Sequence, residues 1–388
     1  MKDTKISNDI FYIGTDDKEI RLFEGQYDVP NGISYNSYLI MDEKITILDT
    51  VDARMTSEWL INVKNSLNGK SPNYLIISHL EPDHAANIKT LINLYPEIKL
   101  VGNEKTFAFL PQFFNIEDLE SRKIVVKEGD TLNLGKHTLQ FFMAPMIHWP
   151  EVMVTYETSE KILFAADGFG KFGTLDTEED WTCEARRYYF NIVGKYGVQV
   201  QALLKKASTL DIKMICPLHG PILKENLEYY INKYDIWSSY KPEDDGVLIA
   251  CSSIHGNTLN AAKELKEMLE KNGAKKVVLT DLTREDMAEA VEDAFRYDKL
   301  ILACSTYNAE LFPKMEEFLS HLKGKNYQNR KIGFIENGTW APLAGKCMKD
   351  VVSQMKNIEM IEPVVTIRST LNDESKQALQ ELAKNILG

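Results

Sequence analysis

The chain has no Cys-x-x-Cys pair, no long apolar run and no basic stripe, and each absence removes a class of function. Its five cysteines (Cys183, Cys216, Cys251, Cys304 and Cys347) are scattered through 388 residues. An odd set without close pairs makes neither a disulfide framework nor a thiolate zinc knuckle. Cys216, Cys251 and Cys304 end apolar runs, where buried, inert thiols are expected. Lys and Arg number 45 against 57 Asp and Glu, a formal net charge of -12. Nucleic-acid binding relies on clustered cations to neutralise phosphates, so no DNA or RNA partner is expected. No run approaches the roughly 20 apolar residues that span a bilayer. Met1-Lys2-Asp3-Thr4-Lys5 also lacks the core of a signal peptide. A cytoplasmic protein without a membrane partner is the expectation.

What is present is ample core material: 44% of residues are hydrophobic and 26% charged, the balance of a globular protein. The length asks for two domains. Strand-like runs dominate the first part, at Ile10–Ile13, Tyr35–Met41, Ile45–Leu48, Tyr74–Ile77, Thr138–Ala144, Val152–Tyr156, Ile162–Phe164 and Ile212–Cys216. Helical spacing recurs over 55–67, 88–94, 177–208 with a break at Gly194, and 223–237. The polar stretch Ser238–Gly246, with Pro242, reads as a domain boundary, so the expected domains are 1–243 and 244–388. Beyond it, five strand-like runs (247–251, 276–279, 299–303, 331–335, 360–365) alternate with five helical ones. That alternation predicts a doubly wound, five-stranded parallel sheet.

Chemistry concentrates in His79-Leu80-Glu81-Pro82-Asp83-His84, just past the Tyr74–Ile77 run. Two imidazoles and two carboxylates with no thiolate suit zinc, manganese or iron. Three further candidate ligands sit at strand ends or in short turns: His148, Asp167 (in Ala166-Asp167-Gly168) and His219 (in Cys216-Pro217-Leu218-His219-Gly220). In the second part, Ser252-Ser253-Ile254-His255-Gly256-Asn257-Thr258 joins a strand to a helix. Hydroxyls, a glycine and helix N-terminal amides there make an anion cradle. Ser305-Thr306-Tyr307-Asn308 and Asn337-Gly338-Thr339-Trp340 follow the next strands in the same way.

The order of the ligand clusters resembles the metallo-β-lactamase fold, an αβ/βα sandwich with a two-metal site. Its hydrolases read His-x-His-x-Asp-His and bind zinc. Glu81 stands here where the second histidine would be, and a carboxylate in that place hardens the site and favours iron. With a flavodoxin-like domain following, the whole chain resembles the flavodiiron proteins, or A-type flavoproteins. That resemblance assigns His79, Glu81 and His148 to one iron, Asp83 and His219 to the other, and Asp167 to both, with His84 beside them. It also assigns Tyr196 a hydrogen-bonding role near the metals. A metal pair roughly 3.5–4 Å apart engages both ends of a small diatomic.

The 253–258 loop is similar to the flavodoxin loop that holds the FMN phosphate, with His255 in place of a hydroxyl residue. Tyr307 and Trp340 would then stack on the flavin, with backbone amides along its polar edge, although the third loop lacks the family's usual run of glycines. The resemblance implies an oxidoreductase that reduces O2 to water or NO to N2O. FMN would pass electrons to the two irons from a separate donor such as rubredoxin. A head-to-tail homodimer, or a tetramer of such pairs, is the implied assembly. The competing expectation is a dizinc hydrolase with an appended flavodoxin.

Overall fold

The structure, a computed structural model, describes residues 5–388. The polar start Met1–Thr4 lies outside the described residues. The chain divides into two compact units, Met1–Tyr189 with Val198–Asp235, and Phe190–Gly197 with Ile236–Gly388.

The first unit is built on two sheets. In one, Ile10–Tyr12, Tyr38–Ile40, Thr46–Leu48, Tyr74–Ile76, Lys99–Gly102 and Lys123–Val125 lie side by side in that order. In the other the order is Thr131–Asn133, Thr138–Met143, Met153–Glu157, Ile162–Phe164 and Met214–Cys216. Alternating apolar residues from both sheets meet in one core. Ile40, Leu48, Ile76 and Val101 come from the first sheet, and Leu139, Phe141, Met153 and Phe164 from the second. This is the sandwich that the metallo-β-lactamase resemblance implied, with side chains of period two buried between the layers. The run read as a single strand from Tyr35 to Met41 is two. Ile33–Tyr35 pairs with Thr15–Asp17, whereas Tyr38–Ile40 joins the large sheet. Buried Asn36 and Ser37 separate them, their side chains donating to the carbonyls of Pro217 and Asp49 rather than packing between the sheets.

Two helical expectations change in detail. The 177–208 segment becomes an α-helix at Trp181–Tyr188, a π-helical stretch at Tyr189–Val193, a 3-10 turn at Gly194–Tyr196 and a second α-helix at Gly197–Ala207. The helix placed at Leu223 begins at Leu227, since Leu223 is held in an antiparallel bridge to Ile215.

In the second unit Val277–Asp281, Asp244–Ser252, Tyr297–Tyr307, Gln328–Asn337 and Lys356–Ile367 form a parallel sheet in that order. The chain therefore runs 2-1-3-4-5, the flavodoxin-like order, in which strand order reverses beside the first strand. A two-residue antiparallel strand, Glu310–Leu311, adds to its Tyr297–Tyr307 member. The five expected helices are all present, from Asn257–Lys271 to Asp373–Leu387. Among the described residues no helix is long and apolar enough to cross a membrane.

Candidate metal centre and flavin site

All seven candidate ligands come together in the first unit, in two adjoining groups. One holds His79, Glu81, His148 and Asp167; the other holds Asp83, His84 and His219. The loop after Tyr74–Ile76 delivers the first four ligands in two ways. His79 and Glu81 lie in the loop, Glu81 at the N-cap, while Pro82 starts one helical turn, Pro82–Ala85, that carries Asp83 and His84. Proline suits the first helical position because its fixed φ and missing N–H cost nothing there.

Asp167 spans the groups. Its Oδ2 lies 3.4 Å from His79 Nε2 and 3.2 Å from His148 Nε2, while its Oδ1 lies 3.1 Å from His84 Nε2. His219 Nε2 stands 3.2 Å from Asp83 and 3.8 Å from Asp167 Oδ1. Glu81 faces His148 at 2.8 Å and His79 at 3.3 Å. His84, on the edge of the family pattern, sits fully inside the second group.

Of three outer contacts missed by the motif reading, two set imidazole tautomers and the third fixes the loop. Glu151, wholly buried, accepts from His79 Nδ1 at 2.8 Å and from the Leu80 amide at 3.0 Å. His219 Nδ1 donates to the Ser34 carbonyl at 2.7 Å. Both histidines therefore turn Nε2 toward the cluster, the arrangement that makes imidazole a good ligand. Asp49 Oδ1 accepts the Ser78 amide at 2.7 Å and fixes the start of the ligand loop. Burial pushes its carboxyl up to about 6 against the pull of those hydrogen bonds. No periodicity marks these residues; the one sequence signal is Asp49 as an acid just past the apolar run Ile45–Leu48.

A tyrosine packed against the cluster is Tyr188. The Tyr188 ring is 5.5 Å from that of His219, and its hydroxyl is held far above its ordinary value by burial, then by the charges of Asp167, Asp83 and Glu81. Tyr196 belongs to the second unit, where its ring lies 5.9 Å from the Lys195 ammonium.

The cluster fits a metal pair on its own geometry. Asp83 Oδ1 and Oδ2, Asp167 Oδ1 and Oδ2, His84 Nε2 and His219 Nε2 are buried without a hydrogen-bond partner. Leaving so many polar atoms unsatisfied costs roughly 1–3 kcal/mol each, and cations placed among them remove that cost. Burial alone would raise Asp167, yet the surrounding imidazoles hold it far below the usual carboxylate range. Replacing Glu151 with Ala is expected to lower metal affinity about 10–100-fold by freeing the His79 ring. Metal content after dialysis against a chelator checks this, and unchanged retention would remove Glu151 from the site.

In the second unit a cavity of about 330 Å³ opens at the carboxyl ends of the parallel strands. Ser253, Ile254, His255, Asn257, Thr258, Ser305, Thr306, Asn308, Asn337, Gly338, Thr339 and Trp340 line it. Ala309, Ala341 and Ser369, which carried no motif signal, line it too. Gly256 and Tyr307 are not among the lining residues. Gly256, at φ +90°, shapes the turn into Asn257–Lys271, and the Tyr307 ring packs edge-on against Phe312 at 5.7 Å. The Asn257–Lys271 helix has no side-chain cap, and its first residues Asn257 and Thr258 line the cavity, leaving helix N-terminal amides for an anion. Buried Ser252 Oγ likewise lacks a partner. Thr258 Oγ1 meets Ser305 Oγ at 2.8 Å and ties two of the loops together. These features suit the phosphate end of a flavin mononucleotide. Thr258→Ala is expected to weaken FMN retention about tenfold, one hydrogen bond to a charged group. Flavin fluorescence on dilution reads the change, and full retention would move the phosphate elsewhere.

A metallo-β-lactamase-like sandwich bearing a two-metal cluster, with a flavodoxin-like domain after it, defines the class. The model of the ODP family beta lactamase matches residues 33–220, and that of a flavodoxin domain matches 248–368. An uncharacterised protein of Methanocaldococcus jannaschii is 29% identical across 98% of this chain and 97% of its own. The anaerobic nitric oxide reductase flavorubredoxin of Vibrio vulnificus is 27% identical over 86% of this chain and 70% of its own. Among solved structures, rubredoxin oxygen:oxidoreductase of Desulfovibrio gigas superposes with a TM-score of 0.93 at 27% identity. That match covers 99% of this chain and 97% of the other. A flavo di-iron protein variant of Thermotoga maritima gives 0.87 at 25%, covering 97% and 95%. The chain belongs to the flavodiiron proteins, oxidoreductases whose cofactors are FMN and a pair of irons.

Proposed function

We propose that this protein reduces O2 to water, NO to N2O, or both, at a diiron centre fed through FMN. The observation that carries the reading is Glu81 standing between His79 and His148 in an otherwise histidine- and aspartate-lined cluster. A carboxylate there adds negative charge and favours iron over the zinc of a hydrolase. In this reading His79, Glu81 and His148 hold one iron, Asp83, His84 and His219 the other, and Asp167 both. Bound iron and FMN would supply the electrons.

The chain's own groups do the rest. Glu151 and the Ser34 carbonyl keep the Nδ1 protons of His79 and His219 away from the metals. The buried walls around Asp167 exclude bulk water. Tyr188 holds its hydroxyl proton beside three carboxylates. The loops at 253–258, 305–309 and 337–341 orient the flavin, with Trp340 available to stack on it. The metal-binding domain is taken as 1–243 and the FMN domain as 244–388. The proposed donor is a small redox protein such as rubredoxin, and the proposed assembly a cytoplasmic head-to-tail homodimer. The nitric oxide reductase of Vibrio vulnificus and the oxygen oxidoreductase of Desulfovibrio gigas support this reading.

Metal and flavin analysis of the purified protein, with anaerobic donor-oxidation assays on the same sample, tests it. The expected result is about two irons and one FMN per chain, with donor oxidised on adding O2 or NO. Two zincs with thioester hydrolysis would overturn it.

A further inference from the structure

A third cluster lies away from the seven ligands, where the first strand meets two hairpin turns of the first unit. Asp9 precedes Ile10–Tyr12, His137 precedes Thr138–Met143, and Glu160 sits in the turn between Met153–Glu157 and Ile162–Phe164. One donor atom from each lies within 4.8 Å of the other two.

His137 is wholly buried and is aimed into this cluster. Its Nδ1 lies 3.0 Å from Glu157 Oε1. Glu157 is itself a buried acceptor, taking the Ser159 amide at 2.9 Å and the Glu160 amide at 2.6 Å. The proton of a neutral His137 ring therefore sits on Nδ1, and the Nε2 lone pair faces the Asp9 and Glu160 carboxylates. That Nε2 has no hydrogen-bond partner and no exposure. A lone pair pointed at carboxylates is stable only with a cation between them. A proton fits poorly, because Asp9 Oδ2 is 3.6 Å away, too long for a good hydrogen bond. A tetrahedral ion with bonds of about 2.0–2.1 Å separates its donors by roughly 3.3 Å, close to this spacing. Glu157–His137 is also the carboxylate–imidazole pair that commonly stands behind a metal-binding histidine.

We propose that Asp9, His137 and Glu160 form a separate divalent-cation site, suited to zinc, that pins the first strand to the two turns. One imidazole and two carboxylates, with water completing the shell, match the donor set of Zn²⁺. Ser7 Oγ donates to Glu160 Oε1 at 3.0 Å and orients that carboxylate. Lys136, which is 60% exposed, pairs with Asp9. It competes with the ion for the same oxygen and can swing into water. The site is outside the redox machinery, so it stands or falls independently of the proposed reaction.

The test uses the iron- and FMN-loaded protein in equilibrium dialysis against micromolar Zn²⁺, with iron counted in every sample. Wild type is expected to take one zinc with no loss of iron. Asp9→Asn, at a half-exposed position that leaves the core intact, is expected to bind at least tenfold more weakly. Lys136→Met, which removes the competing cation, is expected to bind several-fold more tightly. The proposal fails if wild type takes no zinc beyond exchanged iron, if Asp9→Asn binds as wild type does, or if Lys136→Met binds no tighter.

Discussion

Changing Asp167 to Asn is expected to remove at least one metal per chain and to cut donor oxidation by more than about a hundredfold. Loss of an outer partner alone costs about 10–100-fold, and Asp167 touches both groups directly. Its two oxygens face His79 and His148 on one side and His84 on the other. Asparagine keeps the size but withdraws the negative charge and turns an N–H₂ donor toward one set of metals. The neighbours Ala166 and Phe169, both at positive φ, and the Phe169 amide bonded to Tyr234 Oη at 2.6 Å hold the turn in place without the carboxylate. Circular dichroism should therefore show a folded variant. Metal analysis with two irons per chain and an undiminished rate would show that Asp167 does not bridge.

Metal uptake by the metal-free protein is expected to release protons and to weaken steeply toward acid. Burial would lower His84, but the charges of Asp83 and Asp167 win and push it up to about 9. His148 reaches about 9 against its own burial, raised by the Asp167 and Glu81 carboxylates beside it. Both rings carry a proton at pH 7 in the metal-free cluster, and both must lose it to bind a metal. Affinity should then rise by up to about a hundredfold per pH unit between roughly 7 and 9 and flatten above.

The same shifts set a stability window. Both rings are raised above the ordinary 6.5, so their stabilisation of the metal-free fold is complete below about 6.5. It is lost as pH climbs through about 9. Loaded protein has no such protons to lose and should hold its melting temperature across that interval. A pH-stat trace during anaerobic ferrous titration, with melting curves from pH 6 to 10, gives both readouts. A titration without proton release would mean the imidazoles are already neutral.

The ligands were legible because their chemistry is written in short stretches at strand ends. His79, Glu81, Asp83 and His84 fall within six residues after an apolar run, and His148, Asp167 and His219 each sit in a turn. Their partners were not legible. Glu151 reaches His79 across 72 positions and Ser34 meets His219 across 185, and no local pattern encodes such pairings. Tyr188 was not legible either, for a different reason. Between Tyr188 and Tyr196 the chain passes from α- to π-helix and then to a 3-10 turn. Each change alters the rotation per residue, so spacing along the sequence no longer tells which ring faces inward. His137 went unnoticed because a lone histidine before a strand carries no motif.

The sandwich was implied by the family resemblance; by itself, the sequence determined the order of strands and helices, the doubly wound second sheet and the residue types of both sites. Those follow from periodicity, turn chemistry and the preference of metals and phosphates for particular donors, all of which act over a few residues. Only the tertiary structure decided which oxygen of Asp167 faces which imidazole, that His84 stands within the second group, and that Tyr307 turns to Phe312 while Ser369 lines the flavin cavity. Those outcomes depend on how distant segments pack, and a few tenths of an ångström there separate a metal ligand from a hydrogen-bonded bystander.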